Sequence, residues 1–543
     1  MWNRFLGIIL ILIIVATGKL PVVAQPSKAS NPIIFSDVPD MSMIRVGDTW
    51  YMSSTTMHMS PGVPVMKSKD LVNWEMVTYA YDKLADVDDL NLIDGKNAYG
   101  KGTWASSLRY HNGVYYLSTF AQTTNETYIY TSSDIESGDW KKHSFAPSYH
   151  DHTLWFEGDR IFMIWGAGRI QIAELKPDLT GLVDGSMHVL IENATSPSGD
   201  NVGLHAEGSQ LFIRNGKYYL FNISWPRGGM RTVIVHRSNN LFGPYEGKVV
   251  LQDKGVAQGG LIDTPDGAWY AYLFQDCGAV GRTPWLVPVR WVDEWPVLGS
   301  EGKAPVTLDL PESKGVIPGI VSSDEFDRQN DSDYLPLVWQ WNHNPDNNRW
   351  SLSDKSGYLR LYTGEPVSSF QQARNTLTQR TFGPVSSAMA AIDVTNLKEG
   401  DFAGLALLQK VFGQVGVRVR GGVRFVEMVN GEGQDAVMSE QVPFDGDRIY
   451  LKASCDFRKR IDKGFFSYSL DGTTWKPIGK NVIWFIRYRI LWDIGLDYSV
   501  ILQGRQVDMP ISTGLGLKRS FIEKFRINVA QFCIIHYVRQ GHF

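Results

Sequence analysis

Asn112-Gly113-Val114-Tyr115-Tyr116 is a two-residue turn signal running straight into an aromatic strand, and Asn215-Gly216-Lys217-Tyr218-Tyr219 repeats it further along the chain. Asn-Gly favours the left-handed backbone of a tight hairpin, and aromatic residues favour a pleated, half-buried surface. Three looser copies flank these two: Gly47-Asp48-Thr49-Trp50-Tyr51, Gly158-Asp159-Arg160-Ile161-Phe162 and Asp266-Gly267-Ala268-Trp269-Tyr270. Most are followed by a second turn and an aromatic, as in Ser68-Lys69-Asp70-Leu71 to Trp74, Ser133-Asp134-Ile135 to Trp140, and Gly243-Pro244-Tyr245. Long helical periodicity is absent here. Five such signals predict five four-stranded units, and the economical all-β arrangement is a five-bladed β-propeller over residues 30–310. A pair of β-sandwiches is the competing arrangement.

Composition shifts at Pro311-Glu312-Ser313-Lys314-Gly315, a stretch suited to a linker. Beyond it, alternation in Tyr358-Leu359-Arg360-Leu361-Tyr362 and the hairpin from Phe465 to Trp475 predict an antiparallel, concanavalin-like β-sandwich over 322–518. At the start, Arg4, the apolar run Phe5 to Ala16 and Val22-Val23-Ala24 before Gln25 read as a secretory signal peptide over 1–24. The expected location is therefore extracellular or periplasmic, with no membrane partner after cleavage. A signal anchor would need an apolar run of about 20 residues.

The chain has 543 residues and a formal net charge of −4, which gives no electrostatic reason to bind nucleic acid. Its 18 Trp, 23 Tyr and 25 Phe suit a neutral ligand with flat faces, such as a sugar, although they also fill sheet cores. Three scattered cysteines, Cys277, Cys455 and Cys533, offer neither a disulfide framework nor metal-ligand spacing.

Several motifs occur in order: Asn31-Pro32, Pro39-Asp40-Met41-Ser42, Arg45-Val46-Gly47-Asp48, Pro61-Gly62-Val63-Pro64, and Gly102-Thr103-Trp104 through Asn112-Gly113. They continue with His205-Ala206-Glu207-Gly208, Gln258-Gly259-Gly260 and Gly281-Arg282. Together these resemble glycoside hydrolase family 43. The resemblance implies a five-bladed propeller and an inverting enzyme acting on arabinose- or xylose-containing oligosaccharides. It points most directly to an exo-acting α-L-arabinofuranosidase that also takes β-xylosyl groups, with a strict β-xylosidase as the alternative. A glycan-binding propeller without catalysis would need neither an acid nor a base.

Inversion requires one carboxylate to activate water and one carboxylic acid to protonate the leaving oxygen, about 6.5–9.5 Å apart. By the resemblance, Asp40 is the general base and Glu207 the general acid. Asp151, within Tyr149-His150-Asp151-His152, is in register with the family's third carboxylate, which orients the acid and tunes its pKa, although its neighbours depart from the usual pattern. Arg282 matches an arginine that reaches sugar and carboxylates. Trp104 either stacks on a sugar or packs its sheet. His58, in Met57-His58-Met59-Ser60, replaces an aromatic-rich family segment and is either pocket wall or core. Gln258 stands where many members carry a histidine facing a hydrated channel cation; its amide could face a cation such as calcium or simply hydrogen-bond. No cofactor and no catalytic metal are expected.

From Ile483 onward the alternation of the preceding strands is lost, where a family-like sandwich would close with a Gly-Tyr-Arg strand and a strand rich in Asp, Phe and Trp. Permitted codons for residues 481–518, read two nucleotides downstream, can encode both features, and Met509-Pro510 forces an alanine in that frame. The expectation is a frameshift near residues 480–482, which makes 482–543 a non-native ending; a genuine tail is the alternative. Resequencing the gene is expected to reveal a gained or lost nucleotide there. An uninterrupted frame through Phe543 with a well-folded product would overturn it.

Overall fold

The computed structural model describes residues 28–328, 334–362, 364–432 and 435–483, with the backbone of three short strands, Leu502–Gln503, Val507–Met509 and Ile534–His536. The expected signal peptide lies outside the described residues. So does most of the expected non-native ending.

Strands dominate, and the described residues hold one α-helix, the single turn Asp88–Asn91. The amino-terminal unit contains five separate four-stranded antiparallel sheets. Their first strands are Ser42–Val46, Ser107–His111, Thr153–Glu157, Val202–Arg214 and Ala257–Asp263. Each of these packs on the next, and Ala257–Asp263 packs back on Ser42–Val46. This is a propeller-type fold. The turns follow the sequence: His111 pairs with Val114 around Asn112-Gly113, and Arg214 with Lys217 around Asn215-Gly216. All four turn residues have positive φ, between 48° and 82°, as this hairpin requires. Lys28–Ser30 pairs with Thr307–Pro311, so the two ends of the unit are joined by a short antiparallel ladder.

Arg109 ties the sheets together from inside. Its Nε donates to the Leu154 carbonyl at 3.0 Å, and Nη1 donates to the Leu108 carbonyl at 2.9 Å and to Ser42 Oγ at 3.5 Å. Nη2 donates to Thr153 Oγ1 at 2.6 Å and Gln210 Oε1 at 2.7 Å. These acceptors lie on the first, second, third and fourth sheets, and Tyr272 of the fifth interacts electrostatically with the same guanidinium. All five acceptors are uncharged, and burial pulls the Arg109 pKa below its ordinary value.

The second unit is two larger antiparallel sheets around one apolar core that includes Trp339, Phe402, Phe412 and Leu451. One sheet extends into the propeller unit: Met59–Ser60 pairs with Gln340–Asn342. The other surprise is where the late strands fall. Ile534–His536 sits between Thr376–Thr378 and Phe402–Leu407, and Val507–Met509 sits between Leu359–Leu361 and Val385–Asp393. These three-residue strands cover the neighbouring edges only in part. The nine-residue strand Val385–Asp393 meets Val507–Met509 at Asp393 alone.

Arg109→Met would strand several buried acceptors at once. The expected loss is about 3 kcal/mol or more, seen as a thermal midpoint lower by roughly 10 °C in scanning calorimetry. Arg160→Met, which breaks an exposed pair with Glu174, is the control and should leave the midpoint nearly in place.

Candidate active site

A cavity of about 230 Å³ opens where the first strands converge. It is lined by Asp40, Trp104, His150, Asp151, Ala167, Gly203, Leu204, His205, Glu207, Arg231, Gln258 and Arg282. The sequence therefore identified six of the residues that meet here: Asp40, Asp151, Glu207, Arg282, Trp104 and Gln258. All twelve come from the propeller unit.

The backbone explains how they are aimed. Asp40 (φ 49°), Asp151 (φ 46°) and Gln258 (φ 54°) all adopt left-handed backbone at the head of their sheets, and Gly208 (φ 65°) does so beside Glu207. Non-glycine residues rarely accept this conformation, and such strain persists where the surroundings over-determine it. Around Glu207 the ladder to the next strand shifts register on both sides, so its carboxylate leaves the regular pleat. A Cβ on Gly208 would lie 3.1 Å from Gln258 Cγ. At Gly281 a Cβ would lie 2.1 Å from Asp37 Oδ1, the atom that accepts the Arg282 backbone N–H. The Gly-Arg pair of the sequence motif is thereby accounted for.

Asp40 is held from two sides. Arg282 Nη1 donates to Oδ1 at 2.5 Å and Thr55 Oγ1 donates to Oδ2 at 3.0 Å. Burial alone would lower the Arg282 pKa, but the carboxylates of Asp40, Asp276, Asp37 and Asp151 outweigh it and leave the guanidinium firmly charged. Its plane lies over the Phe274 ring at 4.7 Å. Asp276 also pairs with Arg231 at 2.6 Å, so one carboxylate anchors both arginines.

Asp151 is buried and its pKa is raised well above the ordinary value. Burial is the main cause, with the charges of Glu207 and Asp40 adding to it and His150 opposing. His150 Nε2 lies 3.4 Å from Glu207 Oε2 and 3.7 Å from Asp151 Oδ2. Its pKa is raised to about 9, chiefly by Asp151 and then by Glu207, against the opposing effect of burial.

Trp104 packs on Met57 and Phe120 and also lines the cavity, so the packing position leaves part of the ring facing the site. His58 does not line the cavity. It is buried against Tyr99 and His343, with ring centroids 4.6 and 4.5 Å away, and burial lowers its pKa to about 3. The reason is the strand pairing of its neighbours Met59–Ser60 with the second unit, which turns this segment into the joint between the two units. Reading the sequence for function missed His150 and Arg231, whereas His205 lines the cavity as its place beside Glu207 in the motif suggests. For His150 the visible signal was the unusual context of Asp151; for Arg231 there was none.

Residues 29–296 match the family described as Glycosyl hydrolases family 43, and residues 323–487 match the Beta xylosidase C-terminal Concanavalin A-like domain. A Formosa agariphila protein named Beta-xylosidase is 29% identical over 83% of both chains. A Bacteroides ovatus protein named Non-reducing end alpha-L-arabinofuranosidase is 27% identical over 65% of this chain and 68% of its own. A solved Bacteroides eggerthii structure described as bifunctional GH43-CE is 55% identical, with a TM-score of 0.87 over 95% of this chain; this chain spans 64% of that longer protein.

The raised pKa values have a stability consequence. Asp151 contributes stability that is complete below its unfolded pKa of about 4 and is lost as pH rises through its raised folded value. His150 contributes stability that is complete below about 6.5 and is lost as pH rises through about 9. The Asp151 charge is also the chief support of the His150 proton, so Asp151→Asn should lower the imidazole midpoint from about 9, read by ¹⁵N NMR of histidine-labelled protein.

Proposed function

The chain belongs to glycosyl hydrolase family 43 and is a glycosidase, and from that premise we propose an exo-acting, inverting, secreted enzyme. In this reading it removes single terminal pentosyl residues from hemicellulose oligosaccharides. The supporting observation is the cavity itself, which gathers Asp40, Asp151, Glu207 and Arg282 from four different sheets. At about 230 Å³ it is smaller than a typical drug-sized pocket and suits one sugar ring rather than a run of them.

Asp40, oriented by Arg282 and Thr55, is placed to take a proton from water attacking the anomeric carbon. Glu207 protonates the departing oxygen. Once ionised, Asp151 lies close to Glu207 and disfavours early loss of that proton. Arg282 keeps the Asp40 carboxylate in one orientation, so that a lone pair is directed at the water instead of rotating away. The five four-stranded sheets serve as five blades of a closed propeller whose axis carries the site.

Of the two pentoses, β-D-xylosyl is favoured by the Formosa relative, whose similarity extends over 83% of both chains at 29% identity. The α-L-arabinofuranosyl group, foremost in the reading of the sequence, is the second reading, supported by the Bacteroides ovatus relative.

Nitrophenyl β-xyloside and α-arabinofuranoside distinguish these readings: release from the first alone means a strict β-xylosidase, and release from neither overturns the proposal. Asp40→Asn and Glu207→Gln should each lower turnover by about 10²–10⁴. Proton NMR of the first-formed sugar should show the anomer opposite to that of the substrate; initial retention would make one carboxylate a nucleophile.

A further inference from the structure

His150 lines the cavity, and the catalytic reading gives it no role. Its Nε2 lies within reach of both Glu207 and Asp151, and the reacting atoms of all three residues are within 4.8 Å of one another. The ring is half-buried and is steadied by the edge of Phe120, 5.2 Å between centroids. Neither a wall residue nor a packing residue needs an imidazole nitrogen turned to the proton-donating carboxylate.

We propose that His150 is a positioning residue that holds the proton Glu207 delivers, so that the acid and the imidazole share one proton across their contact. The inference rests on the reading of Glu207 as the general acid. The step is a balanced transfer: the Nε2–H bond breaks as an Oε2–H bond forms, leaving neutral imidazole beside a neutral carboxylic acid. Glu207 then passes the proton to the glycosidic oxygen as the bond to the sugar breaks. Water supplies the hydroxyl and leaves its proton on Asp40. Return of a proton from solvent to His150 and loss of one from Asp40 close the cycle.

The surroundings favour a charged imidazole in the resting state. Asp151 on its own segment, Glu207 from the fourth sheet and Asp40 from the first all raise its affinity for a proton. His152, a neighbour on the same segment, has its pKa lowered to about 4 by burial and is neutral above that pH. Arg282, on the other side of the cavity, is engaged with Asp40, while Arg231 and His205 also line the cavity. The sharing arrangement keeps the pair loaded with one proton up to the pH at which the imidazole is stripped, about 9. Glycosidic cleavage then continues to a higher pH than a carboxyl acid beside a second carboxylate would allow by itself.

The pH profile tests this directly. In wild type the alkaline limb of kcat/KM should fall near the imidazole value, and His150→Gln should move it to lower pH by about one unit or more. His150→Lys, which restores a proton-holding cation, should bring the limb back toward wild type. With a dinitrophenyl leaving group, which departs without a proton, the difference between wild type and His150→Gln should vanish. An unshifted limb in His150→Gln would overturn the proposal.

A second measurement needs neither a variant at His150 nor activity. ¹⁵N NMR of histidine-labelled wild type should show one imidazole titrating near 9, with its midpoint lowered in Glu207→Gln. A midpoint near the ordinary histidine value, or one indifferent to Glu207→Gln, would overturn it. Absence of any glycosidase activity would sink the functional reading instead, and the titration would still decide whether His150 and Glu207 share a proton.

Discussion

Three carboxylates, those of Asp40, Asp151 and Glu207, face one small cavity, and keeping them there is the constraint around which the propeller unit is organised. Asp151 and Glu207 bring carboxylate oxygens within 4.8 Å of one another, and two anions at that distance or closer, at an effective dielectric of 20, repel by about 3 kcal/mol or more before any cost of burial. The structure offsets this with cations and with protons. Arg282 is bound to Asp40 and stays charged; His150 stands beside Asp151 and Glu207; Asp276 holds Arg231 and Arg282 to the cavity wall. Where the cations do not suffice, Asp151 keeps its proton to an unusually high pH. The balance carries chemistry as well as stability, because an acid and a base can coexist at one pH only if their neighbours push their proton affinities apart.

Deeper in the unit the problem is reversed. Arg109 is buried with neutral acceptors and draws on four sheets to satisfy its donors. A guanidinium offers five N–H donors in a rigid plane, so satisfying them demands that the first strands converge in one relative arrangement. The same convergence brings the heads of those strands together above it, and the left-handed residues Asp40, Asp151 and Gln258 turn their side chains inward there. The aim of these cavity-lining groups is thus tied to a polar cluster to which none of them belongs.

Much of this was legible in the chain. The Asn-Gly turns announce hairpins because few other dipeptides accept two successive positive φ values, and each hairpin joins the first two strands of a sheet. Asp40, Glu207, Asp151 and Arg282 were legible through short motifs whose glycines and turns set the local backbone. What local pattern could not supply was contact between distant segments. Arg109 reads as an ordinary strand residue until Ser42, Thr153 and Gln210 are brought to it. His58 resembles a pocket residue until Met59–Ser60 pairs with Gln340–Asn342, some 280 positions later in the chain. Arg231 has no motif, since its place depends on Asp276 and the rings of Trp225 and Phe274.

Among the described residues the second unit supplies none to the cavity, yet it grips the loop that carries Asp40. Ser36 Oγ donates to the Thr381 carbonyl at 2.6 Å, Gly383 N–H to the Phe35 carbonyl at 2.7 Å, and Arg380 Nε to the Asp37 carbonyl at 3.1 Å. These contacts come from the segment that follows Thr376–Thr378, one of the strands flanking Ile534–His536. A sheet interrupted at that slot would leave Thr376–Thr378 hydrogen-bonded on one side only, and an edge of that kind is both less stable and open to pairing with other chains. Integrity of the carboxyl-terminal ladder therefore bears on Asp40 through a short mechanical path, from strand to Arg380 and Thr381 to the 35–40 loop.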